Sequence, residues 1–237
     1  MKLRPRVVMQ LAALCLLLGS YSFAAEDASL YIVHGLPGRD VAENLNPNFP
    51  VDVLVNGKSC VVRNLAFDTT SAPLSFAAGT YDVQISPSNT LAGCTNPPLI
   101  DASVTLTSGT SISAVLAISG GEPTLLQFSD NLSPVASGNA RFVFAQAADA
   151  PALQATLTQL DVKKPKTFTL VASPGSQQVI SIAAGTYLVK VYAVGDTTLL
   201  ASEQLTLPNQ SVSFSYAVGE SANNSIVIIN KSVRDVF

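Results

Sequence analysis

Ala77-Ala78-Gly79-Thr80-Tyr81 opens a stretch that this chain uses twice, for it recurs as Ala183-Ala184-Gly185-Thr186-Tyr187. Both copies run on with alternating character. Tyr81, Val83 and Ile85 fall on one side and Thr80, Asp82 and Gln84 on the other; Tyr187, Val189 and Val191 repeat the apolar side. A period of two marks a half-buried β-strand. The Ala-Ala-Gly phrase predicts a tight turn feeding that strand, with glycine taking backbone angles that other residues resist.

Outward from this phrase the match continues. Leu30-Tyr31-Ile32-Val33 aligns with Arg141-Phe142-Val143-Phe144, and Val104-Thr105-Leu106 with Gln204-Leu205-Thr206-Leu207. Ile112, Ala114, Leu116 and Ile118 align with Val212, Phe214, Tyr216 and Val218, and closing strands are predicted at Thr124–Ser129 and Ser225–Asn230. Turn signals separate these runs. Asn56-Gly57 after Val51–Val55 predicts a two-residue hairpin turn, and Gly120-Gly121 predicts another. Beyond the N-terminal segment there is no useful helical period. The fold class expected is all-β: two tandem small antiparallel β-sandwiches of about seven short strands each. They are immunoglobulin-like in architecture only, since the chain has no Trp. Residues 25–130 form the first sandwich, 131–138 the linker and 139–237 the second. Two insertions, Arg39–Pro50 and Ser86–Pro98, occur in the first copy alone.

The N-terminus predicts the compartment. Lys2, Arg4 and Arg6 precede an apolar run from Val7 to Leu18, and Ser22-Phe23-Ala24 supplies small residues at −3 and −1 of a cleavage site. Residues 1–24 are therefore expected to be a cleaved secretory signal, leaving a chain that starts at Ala25. The run is too short for a spanning helix, which needs roughly 20 residues. Leu14 stands where a small residue should precede a lipidated Cys15. The C-terminal Phe237 is not a barrel signature, because Lys231 and Asp235 share its face. The expected localisation is exported: periplasmic, secreted or at the cell surface.

Removal of the signal leaves 10 basic against 16 acidic residues, with no basic run interleaved with aromatics. Nucleic acid is a poor fit as partner, and so is a membrane surface reached through a cationic helix. Of the three cysteines, Cys60 and Cys94 remain. In an oxidising compartment an isolated pair reads as a disulfide, closing a loop of about 35 residues and contributing roughly 3–4 kcal/mol; two buried free thiols are the alternative. With His34 the only histidine, zinc would lack ligands.

Val33-His34-Gly35-Leu36-Pro37-Gly38, then Val51-Asp52-Val53-Leu54-Val55-Asn56-Gly57-Lys58, then the Ala-Ala-Gly-Thr-Tyr strand together resemble the bacterial "domain of unknown function 4397" family. Its members open with a Val-His-Ala-Ser-Pro-Asp-Ala-Pro stretch and continue with Val-Asp-Val-Tyr-Val-Asp-Gly. The second copy keeps Asp149-Ala150-Pro151-Ala152. The resemblance implies an envelope or secreted β-sandwich module, often in tandem, with no assigned activity. Departures are Gly38 in place of the family's Asp, Ala145 where its His is expected, and Gln154 at the position of Asp52.

Candidate chemistry is thin. His34 is the one near-neutral base, and Asp52 is the residue that could orient it. No Gly-x-Ser-x-Gly elbow supplies a nucleophile. The aspartates Asp68, Asp82, Asp101, Asp161 and Asp196 are scattered singly at strand edges and turns, not paired for glycoside hydrolysis. No calcium loop or phosphate cradle appears. The chain is thus expected to be non-enzymatic, with no catalytic residue, metal or cofactor. The candidate binding loop is the first insertion, through Arg39, Asn44, Asn46, Asn48 and Phe49, since binding residues gather on loops held by a rigid scaffold. An interaction or spacer module of the envelope, with a protein or polysaccharide partner, is the leading expectation. An accessory protein of exopolysaccharide modification, suggested by Ala28-Ser29-Leu30-Tyr31, comes next. A fimbrial chaperone or a hydrolase ranks lower.

Overall fold

The computed structural model describes residues 26–41, 45–160 and 162–234. The expected secretory signal and Asn44 lie outside these residues. The first half contains β1 (Ala28–His34), one helical turn α1 (Gly38–Val41), β2 (Val51–Val55), β3 (Ser59–Leu65), β4 (Thr69–Thr70), β5 (Leu74–Phe76), β6 (Gly79–Pro87), β7 (Ile100–Leu106), β8 (Ser111–Ser119) and β9 (Glu122–Ser129). The second contains β10 (Asn139–Gln146), β11 (Leu153–Gln159), β12 (Thr167–Ala172), β13 (Gln177–Ala183), β14 (Gly185–Ala193), β15 (Leu199–Leu207), β16 (Val212–Val218) and β17 (Val227–Val233). Among the described residues no helix is long and apolar enough to cross a membrane.

Each half is a sandwich of two sheets. In the first, β3-β2-β6-β7 faces β4-β1-β8-β9, with β5 also on β1; in the second, β12-β11-β14-β15 faces β13-β10-β16-β17. The strand order of one half repeats in the other, so the internal repeat is structural. The repeated phrase also sets the same register. Gly79 pairs with Leu106 and Tyr81 with Val104, as Gly185 pairs with Leu207 and Tyr187 with Leu205. Both Tyr hydroxyls donate to the carbonyl four residues upstream, Tyr81 to Ala77 and Tyr187 to Ala183, each at 2.8 Å. Both predicted hairpins form, although the first has a three-residue connection, Asn56-Gly57-Lys58, where two residues were expected, because Val55 pairs with Ser59; the second joins Ser119 to Glu122 through Gly120-Gly121 alone. Asn56 and Gly57 have φ of 51° and 62°, and Gly120 and Gly121 have 62° and 79°, as turns matching the strand twist require.

Three expectations need correction. The sheets are not wholly antiparallel: β1 runs parallel to β8, and β10 to β16. In each case the strands of the opposite sheet intervene, providing the long connection a parallel pair needs. The halves hold nine and eight strands, not about seven. The extra one arises because β4 and β5 are two fragments of the edge position that β13 fills alone. Pro73, which has no N–H for a ladder, lies in the gap between them. Third, the match of β8 to β16 is off by one. Ala114, Leu116 and Ile118 point into their own sandwich, whereas Val212, Phe214, Tyr216 and Val218 point out of theirs.

That outward face is not solvated. Every residue of β16 is buried. Phe214, Tyr216 and Val218 pack with Val143 and Ala145 of their own sheet against Val33, Val115 and Phe128 of the first half. The two inner sheets therefore lie face to face, and the four sheets stack in series with three apolar layers between them.

Candidate functional site

The two insertions meet at one end of the first sandwich, where β1 and β6 finish and β2 begins. Their meeting point is backbone: Ser88 N–H donates to Pro50 C=O at 2.9 Å. Below it lies Asp52, fully buried on β2. One carboxylate oxygen accepts Asn64 N–H at 2.8 Å and the Ser88 hydroxyl at 2.8 Å. The other accepts Cys94 N–H at 2.8 Å and Asn89 N–H at 3.3 Å. Burial pushes the carboxyl pKa up, but these four hydrogen bonds outweigh it and hold the group below its ordinary value.

Asp52 therefore organises the second insertion, and it does not orient His34. The His34 ring donates from Nε2 to Phe49 C=O at 2.9 Å, and its Nδ1 faces Leu36 N–H at 3.4 Å. Its ring meets those of Phe49 and Phe67 edge-on, at centroid separations of 5.4 and 5.9 Å. Burial lowers its pKa from 6.5 to about 4, against the opposing pull of the Phe49 hydrogen bond. His34 is a neutral, enclosed hinge pin of the first insertion, with no nucleophile among its hydrogen-bond partners.

The candidate loop residues separate accordingly. Arg39, Asn46 and Asn48 are exposed, and the Asn46 side chain accepts Asn48 N–H at 3.0 Å. Phe49 is only 6% exposed and belongs to the core, so a ligand cannot reach it. Sequence reading took it for a surface aromatic because its neighbours are polar, but the His34 bond to its carbonyl turns its ring inward. Asp40, which that reading passed over, accepts the Ser225 hydroxyl at 2.6 Å and the Asn223 amide at 3.2 Å from the second half.

The second insertion is the better-built surface. Cys60 and Cys94 form a disulfide, pinning the loop to β3. The Asn89 side chain accepts Leu91 N–H at 3.0 Å and Ala92 N–H at 3.3 Å, and donates to Thr95 at 2.9 Å. Arg63 reaches Asn89 C=O at 3.4 Å. At the apex stands Leu91, 96% exposed. Asn89 and Leu91 were not singled out by sequence; the signal available was an Asn two residues after a β-strand in a cysteine-closed loop. Among the described residues no group of three or more His, Cys, Asp or Glu side chains could hold a metal ion.

The family model described as "Domain of unknown function (DUF4397)" matches residues 28–156, from the first residue of β1 into β11. The chain belongs to that family. No curated protein matches it. Among solved structures, the DUF4397 chain is similar to the Bacillus anthracis TIE protein at 10% identity and a TM-score of 0.27. That alignment covers 87% of this chain and 34% of the other, so the chain spans about a third of that protein's length. A candidate cell adhesion protein from Bacteroides ovatus shares 13% identity, with 91% of this chain and 99% of that one covered and a TM-score of 0.28. One from Bacteroides uniformis shares 10%, covering 89% and 99%, with a TM-score of 0.29.

Proposed function

We propose that this DUF4397 protein is an exported, non-enzymatic interaction module that contacts a protein partner through the insertion end of its first sandwich. The observation that carries this is Leu91. An almost fully exposed leucine on a freely moving loop would be unremarkable. Here the loop is tied down by a disulfide, a buried carboxylate and a bridging asparagine side chain. A loop ordered in advance loses little entropy on binding, and its apex then presents an apolar knob to a leucine-sized pocket. Arg39, Asn46 and Asn48 offer polar contacts on the neighbouring insertion. The signal-like N-terminus and the disulfide both support export.

The test is retention of the purified protein, residues 25–237, on its own envelope fraction, compared between the natural chain and Leu91→Asp. The substitution should weaken retention at least tenfold while leaving the melting temperature unchanged, since Leu91 supports no packing. Protease treatment of the fraction should abolish retention. Unchanged retention by Leu91→Asp would remove the loop from the interaction, and protease-resistant retention would point to polysaccharide instead.

A further inference from the structure

Among the described residues, the layer between the sandwiches holds one charged pair. Lys231 on β17 lies 2.6 Å from Asp130, just past β9, and their side chains are 5% and 0% exposed. The ammonium sits 3.9 Å from the Tyr31 ring centroid and 4.1 Å from that of Phe214. Around it the hydroxyls close a network that crosses between the halves. Ser113 donates to Asp130 at 2.9 Å and accepts from Lys231 at 2.6 Å and from the Tyr216 hydroxyl at 2.7 Å. Ser111 adds a bond to Asp130 at 3.0 Å. One donor and two acceptors are all that a hydroxyl offers, so Ser113 is saturated. Its bonds to Tyr216 and Lys231 come from the other half.

We infer that Asp130 and Lys231 key the two sandwiches into a single rigid body, so that residues 131–138 are a strap and not a hinge. Apolar faces alone define a contact poorly, because a small slide exchanges one methyl contact for another. With a carboxylate in one face and an ammonium in the other, any slide strands both charges in a medium of low dielectric. Two aromatic rings and three hydroxyls set the single position in which neither is stranded. Burial pulls the lysine pKa down while Asp130 opposes it, and the rings favour the charged form further. The strap is gripped too: Arg141 donates to Asn131 C=O at 2.8 Å and Ser133 C=O at 2.9 Å. Away from the pair, Asp149 accepts Gly121 N–H at 2.8 Å and Gln177 donates to Ser129 C=O at 2.8 Å. The insertion end of the first sandwich is thereby held at a fixed attitude to the second.

Hydrogen exchange of the full protein tests this with Lys231→Met and with Asp130→Leu/Lys231→Met. The single variant leaves Asp130 stranded in the first half. It should raise exchange at least tenfold in β8 and β9 as well as in β16 and β17, and the double variant should return all four toward natural protection. Exchange that changes only in β16 and β17 would overturn the inference, as would a double variant no better protected than the single. Should the single variant fail to fold, the double carries the test against the natural chain: one cooperative melting transition in the natural protein that separates into two in the double variant supports the keyed joint, and a single transition in both refutes it.

Discussion

At His34 the imidazole is held between a carbonyl it donates to and an amide N–H it faces, in a pocket that water does not enter. Its counterpart in the second half is Gln146, not the Ala145 that sequence alignment supplies. His34 pairs with Leu116, followed by the Gly35 N–H bond to Leu116 C=O; Gln146 pairs with Ala217, followed by the Ala147 N–H bond to Ala217 C=O. Gln146 does the same work, donating to Ala150 C=O at 3.2 Å and Pro151 C=O at 3.1 Å to pin its own loop. Only the histidine titrates. Its folded pKa of about 4 lies below the unfolded 6.5, so below 6.5 the unfolded chain binds a proton that the folded chain refuses. The contribution is present above 6.5 and lost as pH falls through 4, amounting to about 3 kcal/mol. His34→Gln should fold, and urea midpoints measured from pH 8 to pH 4 should fall less steeply than for the natural chain. Equal slopes would show that acid sensitivity arises elsewhere, for example at Asp52, whose depressed carboxyl pKa acts in the same direction at lower pH.

Single elements were legible wherever turn chemistry and alternation agreed. Asn56-Gly57, Gly120-Gly121 and the Ala-Ala-Gly-Thr-Tyr strands stand where sequence puts them, although of the two phrase glycines only Gly185, at φ 153°, takes the positive φ expected, while the tyrosine bond is common to both copies. The hydroxyl bond back to the alanine carbonyl locks the turn to the strand it feeds. Tyr187 is fully buried while Tyr81 is partly open to solvent. Tyr187→Phe should therefore destabilise by about 1–2 kcal/mol and Tyr81→Phe by less than about 1 kcal/mol, because water replaces only the exposed bond. Equal losses in denaturant titrations would mean that solvent does not reach Tyr81. The alignment of β16 failed for a reason that period-two reading cannot avoid. Alternation shows that two faces differ and not which neighbour each meets. In Val212-Ser213-Phe214-Ser215-Tyr216 the large residues looked like core, yet Phe142, Phe144 and Tyr187 already fill that core, and serines suffice on the side facing it.

For the whole molecule, the layer between the sandwiches was the least legible part, since it is built from residues that have a second explanation in sequence. Lys231 reads as a charge on an edge strand, and Gly35 as one residue of the loop phrase after His34, at a position where the family's opening carries Ala. The structure gives Gly35 a steric role at this joint. A Cβ placed there would lie 2.5 Å from Val218 Cγ1, 2.8 Å from Val218 Cβ and 2.9 Å from Leu116 C=O. Two of these contacts belong to the second half and one to the first half's own backbone. Gly35→Ala should thus destabilise by about 1–3 kcal/mol through overpacking, and its effect should depend on what stands at 218. Val218→Ala alone removes buried methyls and also destabilises. Combined, the two should cost less than their sum, because the alanine at 218 vacates the space that the new methyl enters; the carbonyl of Leu116 does not move aside, so recovery stays partial. A double-mutant cycle of denaturant midpoints measures the difference. Coupling of at least about 0.5 kcal/mol in the compensating sense places the halves in contact by a route independent of the buried ion pair, and strict additivity would mean that Gly35 and Val218 do not touch in solution.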